Sequence, residues 1–351
     1  MSSSSQKKLI LVIGATGMQG RPTVASLLAS RPDGTPSPYA VRALTRDPTS
    51  KQAQELKLLG AELFKGRFDD LESITAALKD CYGIFVNTDT FTVGAEAEMF
   101  YAIKIFEEAR KSPQLRHFVW GGLDYGSKIG EFDPRFRTVH HDSKGAVGDF
   151  LKMQPSSMGD SLAWSILTTG PYMENLGGIL LGPLPKRDSN GNVVFAVPTG
   201  NGHIPAVCLE DVGWWVRYTF DHRAETSGQE LKIATEFMTG DQLVETFTRV
   251  TGIPAIRKKM SVEEYVALYK PILDRSIVKG QPGPSIGETY SAMWRIYTED
   301  LFKRDMDWIR RTHPTGYTLE SWIRTKGYDG TLGPDYRFFK PKAAKIPKAR
   351  L

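Results

Sequence analysis

The 351-residue sequence predicts an α/β protein built on a Rossmann doubly wound parallel sheet, with a smaller, mostly helical C-terminal lobe. Three observations predict this class. Short apolar segments alternate with helical segments over the first 170 residues. A glycine-rich turn over residues 14–20 directly follows the first apolar segment. Beyond residue 171 the alternation stops, and helical segments rich in aromatic residues dominate.

The first strand is predicted at 8–13, where the side chains are apolar on both faces, as in a central parallel strand. Further strands are predicted at 39–44, 61–65, 83–87, 117–120 and 164–168. The helices between them are predicted at 18–30, 50–59, 71–79, about 94–111 and 138–153. Since this alternation builds βαβ units, the six strands are expected to be parallel.

The region after residue 171 is predicted to be less regular. We expect a short helix at 173–181, a hairpin-like segment at 186–196 that turns at Asn190-Gly191, and mostly helices over 239–326. Two segments, near 204–207 and 230–234, are expected to return to the main sheet. The expected division is a nucleotide-binding domain at 1–170, a substrate or partner lobe at 171–339 and a basic tail at 340–351.

Composition excludes several classes of protein. With 40% hydrophobic and 24% charged residues the chain is not expected to be disordered, and no apolar run is long enough to span a membrane. The net charge of +5 reflects in part the tail, which is expected to be solvated or to contact a polyanion weakly. Two cysteines in unrelated contexts, without a signal peptide or an Asn-x-Ser/Thr sequon, favour a reducing compartment, so the protein is expected to be cytoplasmic, or nuclear if it is a regulator. Cys81 and Cys208 are predicted to be buried thiols.

The glycine motif is the strongest functional signal. Gly14, Gly17 and Gly20 would let backbone N–H groups and a helix N-terminus approach a pyrophosphate closely. Because the motif lies between a buried strand and a helix, it indicates a dinucleotide site rather than a tight turn without a ligand. The sequence has no Gly-Lys-Ser/Thr ending at this motif, which excludes a P-loop nucleotidase.

The end of the second predicted strand indicates which dinucleotide is bound. An arginine there accommodates the 2′-phosphate of NADP, whereas an acidic residue binds the ribose diol of NAD. Arg46 therefore favours NADP(H), with Lys51 and Arg21 as candidate helpers. Asp47, one residue later, keeps NAD as the alternative.

The sequence resembles the NmrA-like family, atypical short-chain dehydrogenases/reductases that include an NADPH sensor, over about residues 8–330. The matching segments are the glycine motif, Arg42-Ala43-Leu44-Thr45-Arg46, Gly60-Ala61-Glu62 with Asp69-Asp70, His140 to Lys144, Pro171-Tyr172-Met173-Glu174-Asn175 and Pro198-Thr199-Gly200. The resemblance implies NADP(H) across the carboxyl ends of the strands. The candidate cofactor contacts are Gly14, Thr16, Gly17, Met18, Gln19, Gly20, Arg46, Lys51, Phe68, Asp69, Asn87, Thr88, Lys144, Tyr172 and Asn175.

The resemblance also implies catalytic candidates. Lys144 matches the lysine of the superfamily's Tyr-x-x-x-Lys motif, and His140 stands at the tyrosine position, on the same helix face. The serine or threonine that usually follows the fifth strand is missing. His140, Tyr125 and Tyr172 are therefore the candidate proton donors. No metal site is predicted, because adjacent histidines point to different helix faces.

Two functions remain open from the sequence. The first is an NADP(H)-dependent oxidoreductase that transfers hydride to a small organic molecule, such as an enone, imine, quinone or biosynthetic intermediate. The alternative is a non-catalytic NADP(H)-sensing regulator that binds a partner protein. Nucleic-acid binding through the basic tail rests on composition alone, and no membrane partner is expected.

Overall fold

The computed structural model describes residues 7–333 except 157, 158 and 160, so the predicted basic tail lies outside the described residues. The strands are β1 (Lys8–Ile13), β2 (Tyr39–Thr45), β3 (Glu62–Lys65), β4 (Gly83–Val86), β5 (His117–Leu123), β6 (Ala163–Thr169), β7 (Val193–Phe195), β8 (His203–Ala206), β9 (Glu230–Lys232), β10 (Glu236–Thr239) and β11 (Ala255–Arg257). Seven of them form one parallel sheet in the order β3-β2-β1-β4-β5-β6-β9. The predicted doubly wound sheet is confirmed.

The helices that flank the sheet are α1 (Gly20–Leu28), α2 (Lys51–Leu58), α3 (Leu71–Ala77), α4 (Thr90–Val93), α5 (Ala95–Lys111), α6 (Gly126–Ile129), α7 (Val139–Lys152), α8 (Leu209–Asp221) and α9 (Arg223–Thr226). The later helices are α10 (Gly240–Thr251), α11 (Val262–Leu268), α12 (Lys270–Leu273), α13 (Ile286–Thr298), α14 (Met306–Thr312) and α15 (Leu319–Lys326). No helix of the described part of the chain is long and apolar enough to cross a membrane.

Both faces of the sheet are buried, as the apolar first strand predicts. Ile10 and Val12 of β1 pack in one core with residues of α1 and α8, while Leu11 and Ile13 pack in a second core with residues of α5 and α7. A third core lies in the C-terminal lobe. Alternate residues of a strand point to opposite faces, so one strand contributes to two cores.

One of the two segments expected to return to the main sheet does so. Strand β9 pairs with the outer side of β6, as predicted. The expectation that 204–207 joins the main sheet is wrong, because β8, the strand in this segment, pairs antiparallel with β10 in a separate two-stranded sheet. Pro205 explains this placement, because proline cannot donate to a ladder and is confined to edge strands. Val207 makes a parallel bridge to Tyr172, in the segment that follows β6.

The C-terminal lobe is mostly helical after residue 239, as predicted, although the short strand β11 pairs parallel with β7. The hairpin-like segment is present, because Leu184 N–H donates to the Val194 carbonyl at 2.7 Å and Gly191 takes a φ of +82° in its turn. The helix expected at 173–181 is reduced to a 3₁₀ turn, Met173–Gly177. Two consecutive glycines, Gly177 and Gly178, oppose a longer helix.

Candidate cofactor and substrate site

The glycine loop lies at the carboxyl end of β1 and packs directly against the end of β4. Gly14 has a φ of +76°, and a Cβ atom there would lie 2.5 Å from the Asn87 carbonyl oxygen. A Cβ atom at Gly20 would lie 2.1 Å from the Gly14 carbonyl oxygen. The N–H of Gly17 donates to that same oxygen at 2.9 Å. A side chain at Gly14 or Gly20 would collide with backbone atoms, so this tight loop before α1 requires glycine at both positions.

Gln19 connects this loop to the segment that follows β6. Its buried side chain donates from Nε2 to the Tyr172 hydroxyl at 2.9 Å, which joins two predicted site residues 153 positions apart. Burial raises the pKa of Tyr172 to about 12, and the bond from Gln19 offsets part of that effect. Thr16 and Met18 are half-buried on the same loop. The Tyr172 hydroxyl therefore lies beside the glycine loop in its neutral form.

The predicted 2′-phosphate contacts lie directly after β2 and at the start of α2. Arg46 is exposed directly after β2, and Lys51 is the first residue of α2. Asp47, the residue that would favour NAD, accepts bonds from the Thr49 N–H at 2.8 Å and from the Thr49 hydroxyl at 2.6 Å. Its carboxylate is engaged in the turn before α2. Arg21, a candidate helper, forms an ion pair with a glutamate of α2 at 2.6 Å.

The residues expected beside the adenine lie after β3. Phe68 is half-buried and meets the ring of Tyr101 edge-on, with 6.4 Å between centroids. Asp69 pairs with Arg67 at 2.6 Å. The hydrogen bond from Arg67 holds the pKa of Asp69 below its ordinary range, and the nearby charge of Arg46 adds to this effect. Arg67 is a cation in this region that the sequence analysis missed.

Lys144 lies on α7 with its ammonium at the end of β4. Its Nζ atom is 3.0 Å from the Thr88 carbonyl oxygen and 3.4 Å from the Asn87 Oδ1 atom, so these predicted residues do come together. The same atom is 3.1 Å from the Glu98 carboxylate. Lys144 also lies over the ring of Trp120, 5.0 Å from its centroid. The ammonium is thus buried, its charge is balanced by the Glu98 carboxylate, and its position is fixed by these contacts.

Glu98 on α5 is a site residue that the sequence analysis missed. Its side chain is fully buried and accepts hydrogen bonds from the hydroxyls of Thr88 at 2.7 Å, Ser143 at 2.5 Å and Thr90. Although burial opposes ionisation, the Lys144 ammonium and these hydroxyls keep the pKa of Glu98 below its ordinary value. A signal was present in the sequence, because Glu98 lies on the buried stripe of α5.

His140 lies one turn before Lys144 on α7, half-buried in a group of rings that we name the aromatic wall: Phe91, His140 and Tyr290. The centroid distances from His140 are 5.3 Å to Phe91 and 5.8 Å to Tyr290. Its Nδ1 atom is 3.4 Å from the Thr289 hydroxyl. Burial holds the pKa of His140 well below its ordinary range. The imidazole is therefore neutral at pH 7, which makes it a poor proton donor there.

Tyr125 lies on a different side of α7 from these groups. Its backbone packs against Gly145, where a Cβ atom would lie 2.4 Å from the Tyr125 Cβ atom. Its ring meets Phe132 at 6.2 Å between centroids. Burial, followed by the charge of Asp142, raises the pKa of Tyr125. The structure thus links Tyr172 and Lys144 to the glycine loop through Gln19 and Asn87. It places His140 one turn away in the aromatic wall and gives Tyr125 other neighbours.

The segment after Tyr172 continues with Glu174 and Asn175, which are half-buried near the start of α8. Glu174, Cys208 and Glu210 have potential metal-ligand atoms within 4.8 Å of one another. However, Lys326 pairs with Glu210, and Glu174 accepts from the first N–H of α8 at 3.4 Å. Burial raises the pKa of Glu174 to about 7. The group is better explained as ionic packing around a helix start than as a metal centre.

The strand order and the glycine loop at the end of β1 define a Rossmann-type nucleotide-binding fold. The chain belongs to the NmrA-like family, whose family model matches residues 6–279. The family predicted from the sequence is therefore confirmed.

Named relatives include both enzymes and a regulator. The NmrA-like family domain-containing oxidoreductase notA' of Aspergillus versicolor is 39% identical over 269 residues, which cover 72% of this chain and 71% of that protein. The crystal structure of NmrA, a negative transcriptional regulator, in complex with NADP superimposes with a TM-score of 0.68 at 17% identity, over 91% of this chain and 95% of that one. The NADPH complex of the Escherichia coli quinone oxidoreductase QOR2 has a TM-score of 0.66 at 17% identity, over 91% and 100% of the chains.

Proposed function

We propose that this protein binds NADP(H) and transfers hydride to a small organic molecule. The observation that carries the proposal is the position of the Lys144 ammonium, 3.0 Å from the Thr88 carbonyl oxygen and 3.4 Å from Asn87 Oδ1. These groups lie at the carboxyl end of β4, beside β1. The strand order reverses between these two strands, which is where open α/β sheets bind their ligands.

The residues present fit a dinucleotide. The loop leads into the N-terminus of α1 with Gly17 exposed, and backbone contacts within the fold leave no room for a Cβ atom at Gly14 or Gly20. Arg46 is exposed at the place where a 2′-phosphate would lie, while Asp47 is engaged in its own turn. This arrangement favours NADP(H) over NAD(H).

NADPH, when bound, would supply the hydride. Lys144 would hold the ribose hydroxyls next to the nicotinamide, exchanging one of its present contacts for them. Phe91 and Tyr290 of the aromatic wall would cover the substrate and exclude water. The NADP complex of NmrA and the NADPH complex of QOR2, which share this fold, support the cofactor assignment. The name of the relative notA' supports an oxidoreductase.

Nucleotide titration of the whole protein tests the cofactor assignment. Replacing Arg46 with alanine should weaken NADPH binding about tenfold to a hundredfold and leave NADH binding nearly unchanged, because only NADPH has the 2′-phosphate. The matched control is Lys57→Ala, which removes an exposed positive charge at the far end of α2. Equal losses for both nucleotides in the Arg46 variant would refute the assignment.

A nucleotide-sensing regulator is the second candidate function. The superfamily's serine and tyrosine are absent, and the His140 imidazole that replaces the tyrosine is neutral. NmrA, whose fold this chain shares, is a negative transcriptional regulator. Turnover separates the two functions: NADPH absorbance is followed while enones, imines, quinones and aromatic aldehydes are added. Consumption supports the oxidoreductase, whereas stoichiometric binding without consumption by any compound supports the regulator.

A further inference from the structure

A cavity of about 420 Å³ opens in the C-terminal lobe, between the loop that joins β7 to β8, the segment after β11 and the end of α13. Its lining includes Val197, Pro198, Asn201, Arg257, Lys259 and Met260. None of these residues is a candidate cofactor contact. Small-molecule sites in proteins have volumes in this range. The cavity is therefore large enough for a small organic molecule and is separate from the residues assigned to the nucleotide.

The charged side chains that line this cavity, Arg257 and Lys259, are both cations. Residues two apart on an extended chain point to the same side, whereas Lys258 between them is exposed and lies outside the cavity lining. No carboxylate of a described residue lines the cavity. The lining therefore attracts an anion rather than a cation.

Arg257 is held at the cavity wall by contacts within the fold. Its side chain is only 8% exposed, and its guanidinium pairs with Asp241 at 2.7 Å and donates to the Gly200 carbonyl oxygen. A further contact of 3.5 Å joins the guanidinium to the Thr199 hydroxyl oxygen. These contacts use three of the five N–H donors of an arginine, so donors remain for a carboxylate. Because the guanidinium is already fixed, binding would cost little side-chain entropy.

Lys259 supplies a positive charge that is not balanced within the described part of the chain. Its Nζ atom lies 3.4 Å from the Asn201 Oδ1 atom, and it has no ion-pair partner among the described residues. Asp241, which balances the charge of Arg257, is 63% exposed and does not line the cavity. One uncompensated positive charge therefore lies at the edge of the cavity.

We infer that this cavity binds a small organic carboxylate. Val197, Pro198 and Met260 give the lining an apolar part that can cover the body of such a molecule. The carboxylate would face Arg257 and Lys259. One uncompensated cation and an apolar wall match a monoanion with a hydrophobic body better than a phosphate dianion, because a second negative charge would remain unpaired on leaving water. The site goes beyond the proposed hydride transfer and would give the protein a second small-molecule ligand.

Ligand-observed NMR titrations of the whole protein test the inference. The probes are benzoate, benzamide as a neutral molecule of similar shape, and inorganic phosphate. The variant is Lys259→Gln, which removes an exposed charge and should not disturb folding. The matched control is Lys258→Gln, because this exposed neighbour lies outside the cavity lining. A second control, Arg46→Ala, detects benzoate that binds at the proposed nucleotide site instead.

Benzoate should bind more tightly than benzamide and phosphate. Lys259→Gln should weaken benzoate binding about fivefold, as expected for the loss of one solvent-exposed charge contact, and the two controls should change it less than about twofold. The inference would be overturned by absence of benzoate binding at about 10 mM, by equal affinity for benzamide or by equal losses in the two lysine variants. Tighter binding of phosphate, or a loss of benzoate binding in Arg46→Ala, would overturn it as well.

Discussion

Replacing Lys144 with methionine should destabilise the protein mainly through Glu98. The Glu98 side chain has no exposed surface, and the Lys144 ammonium at 3.1 Å is its counter-charge. Removing one partner of a buried pair leaves an uncompensated charge, which is more costly than losing the pair as a whole. The prediction is therefore a large loss of stability that depends on the protonation of Glu98.

The magnitude follows from the cost of neutralising Glu98. At pH 7, protonating a carboxyl group with an ordinary pKa of 4.5 costs about 3.4 kcal/mol. This cost is the upper limit of the loss in folding free energy, because the folded variant can bury Glu98 in its neutral form. The hydroxyls of Thr88, Thr90 and Ser143 still contact the carboxyl group and offset part of this. We expect a loss of about 3 kcal/mol at pH 7, falling to about 0.7 kcal/mol at pH 5. Without Lys144, the pKa of Glu98 in the folded variant should be higher than in the unfolded variant. The free energy of unfolding of the variant should therefore fall as the pH rises above 4.5.

Denaturant unfolding at pH 5 and pH 7 measures this loss. The double variant Lys144→Met/Glu98→Gln should be more stable than the single variant at pH 7 and should lack its pH dependence. The control is Lys128→Met, which breaks an exposed pair with Asp149 and should cost less than about 1 kcal/mol. A Lys144→Met loss that is equal at both pH values would refute the assignment of a buried charge to Glu98.

Three further predictions concern the frame around the site. Burial lowers the pKa of His117 to about 3, so below pH 6.5 the unfolded state binds more protons than the folded state. The free energy of unfolding should therefore be about 2 kcal/mol lower at pH 5 than at neutral pH. His117→Gln, which can keep the bond to Ser165, should remove this pH dependence in unfolding titrations. Gly20→Ala should lower the melting temperature and abolish NADPH binding, because its Cβ would lie 2.1 Å from a carbonyl oxygen of the glycine loop; wild-type binding would contradict this. Arg304→Met should cost about 2 kcal/mol in denaturant unfolding, because it removes a charge-assisted hydrogen bond to buried Asp124 at 2.7 Å while Lys232 still pairs with that carboxylate at 3.0 Å. A loss below about 0.5 kcal/mol would disprove that role.

Much of the fold could be predicted because its signals are local. A strand buried on both faces is apolar throughout, and an amphipathic helix repeats its apolar residues every three or four positions. These patterns were sufficient for the six leading strands and for the five longer helices between them, but not for the one-turn helices α4 and α6. The glycine motif is local in part: the φ angle of Gly14 and the approach of Gly20 to the Gly14 carbonyl arise within seven residues, whereas the approach of Gly14 to Asn87 depends on β4.

Pairings between distant segments were harder to predict. The segment at 204–207 was expected in the main sheet, but β8, the strand found there, pairs with β10, and Pro205 was the available warning. Strand β9 did return to the sheet as expected. Short strands have similar composition wherever they pair, so their partners depend on which sheet edge is free and close in the folded chain.

The candidate site shows the same division. The sequence by itself determined the glycine loop, the end-of-strand Arg46 and the placement of His140 and Lys144 on one helix face. Only the tertiary structure decided that Lys144 is paired with Glu98, that Gln19 bonds to Tyr172 and that His140 packs against Phe91 and Tyr290. The reason is physical: a spacing along one helix or loop is set by local geometry, whereas charge pairing, burial and pKa depend on residues that folding brings from other elements.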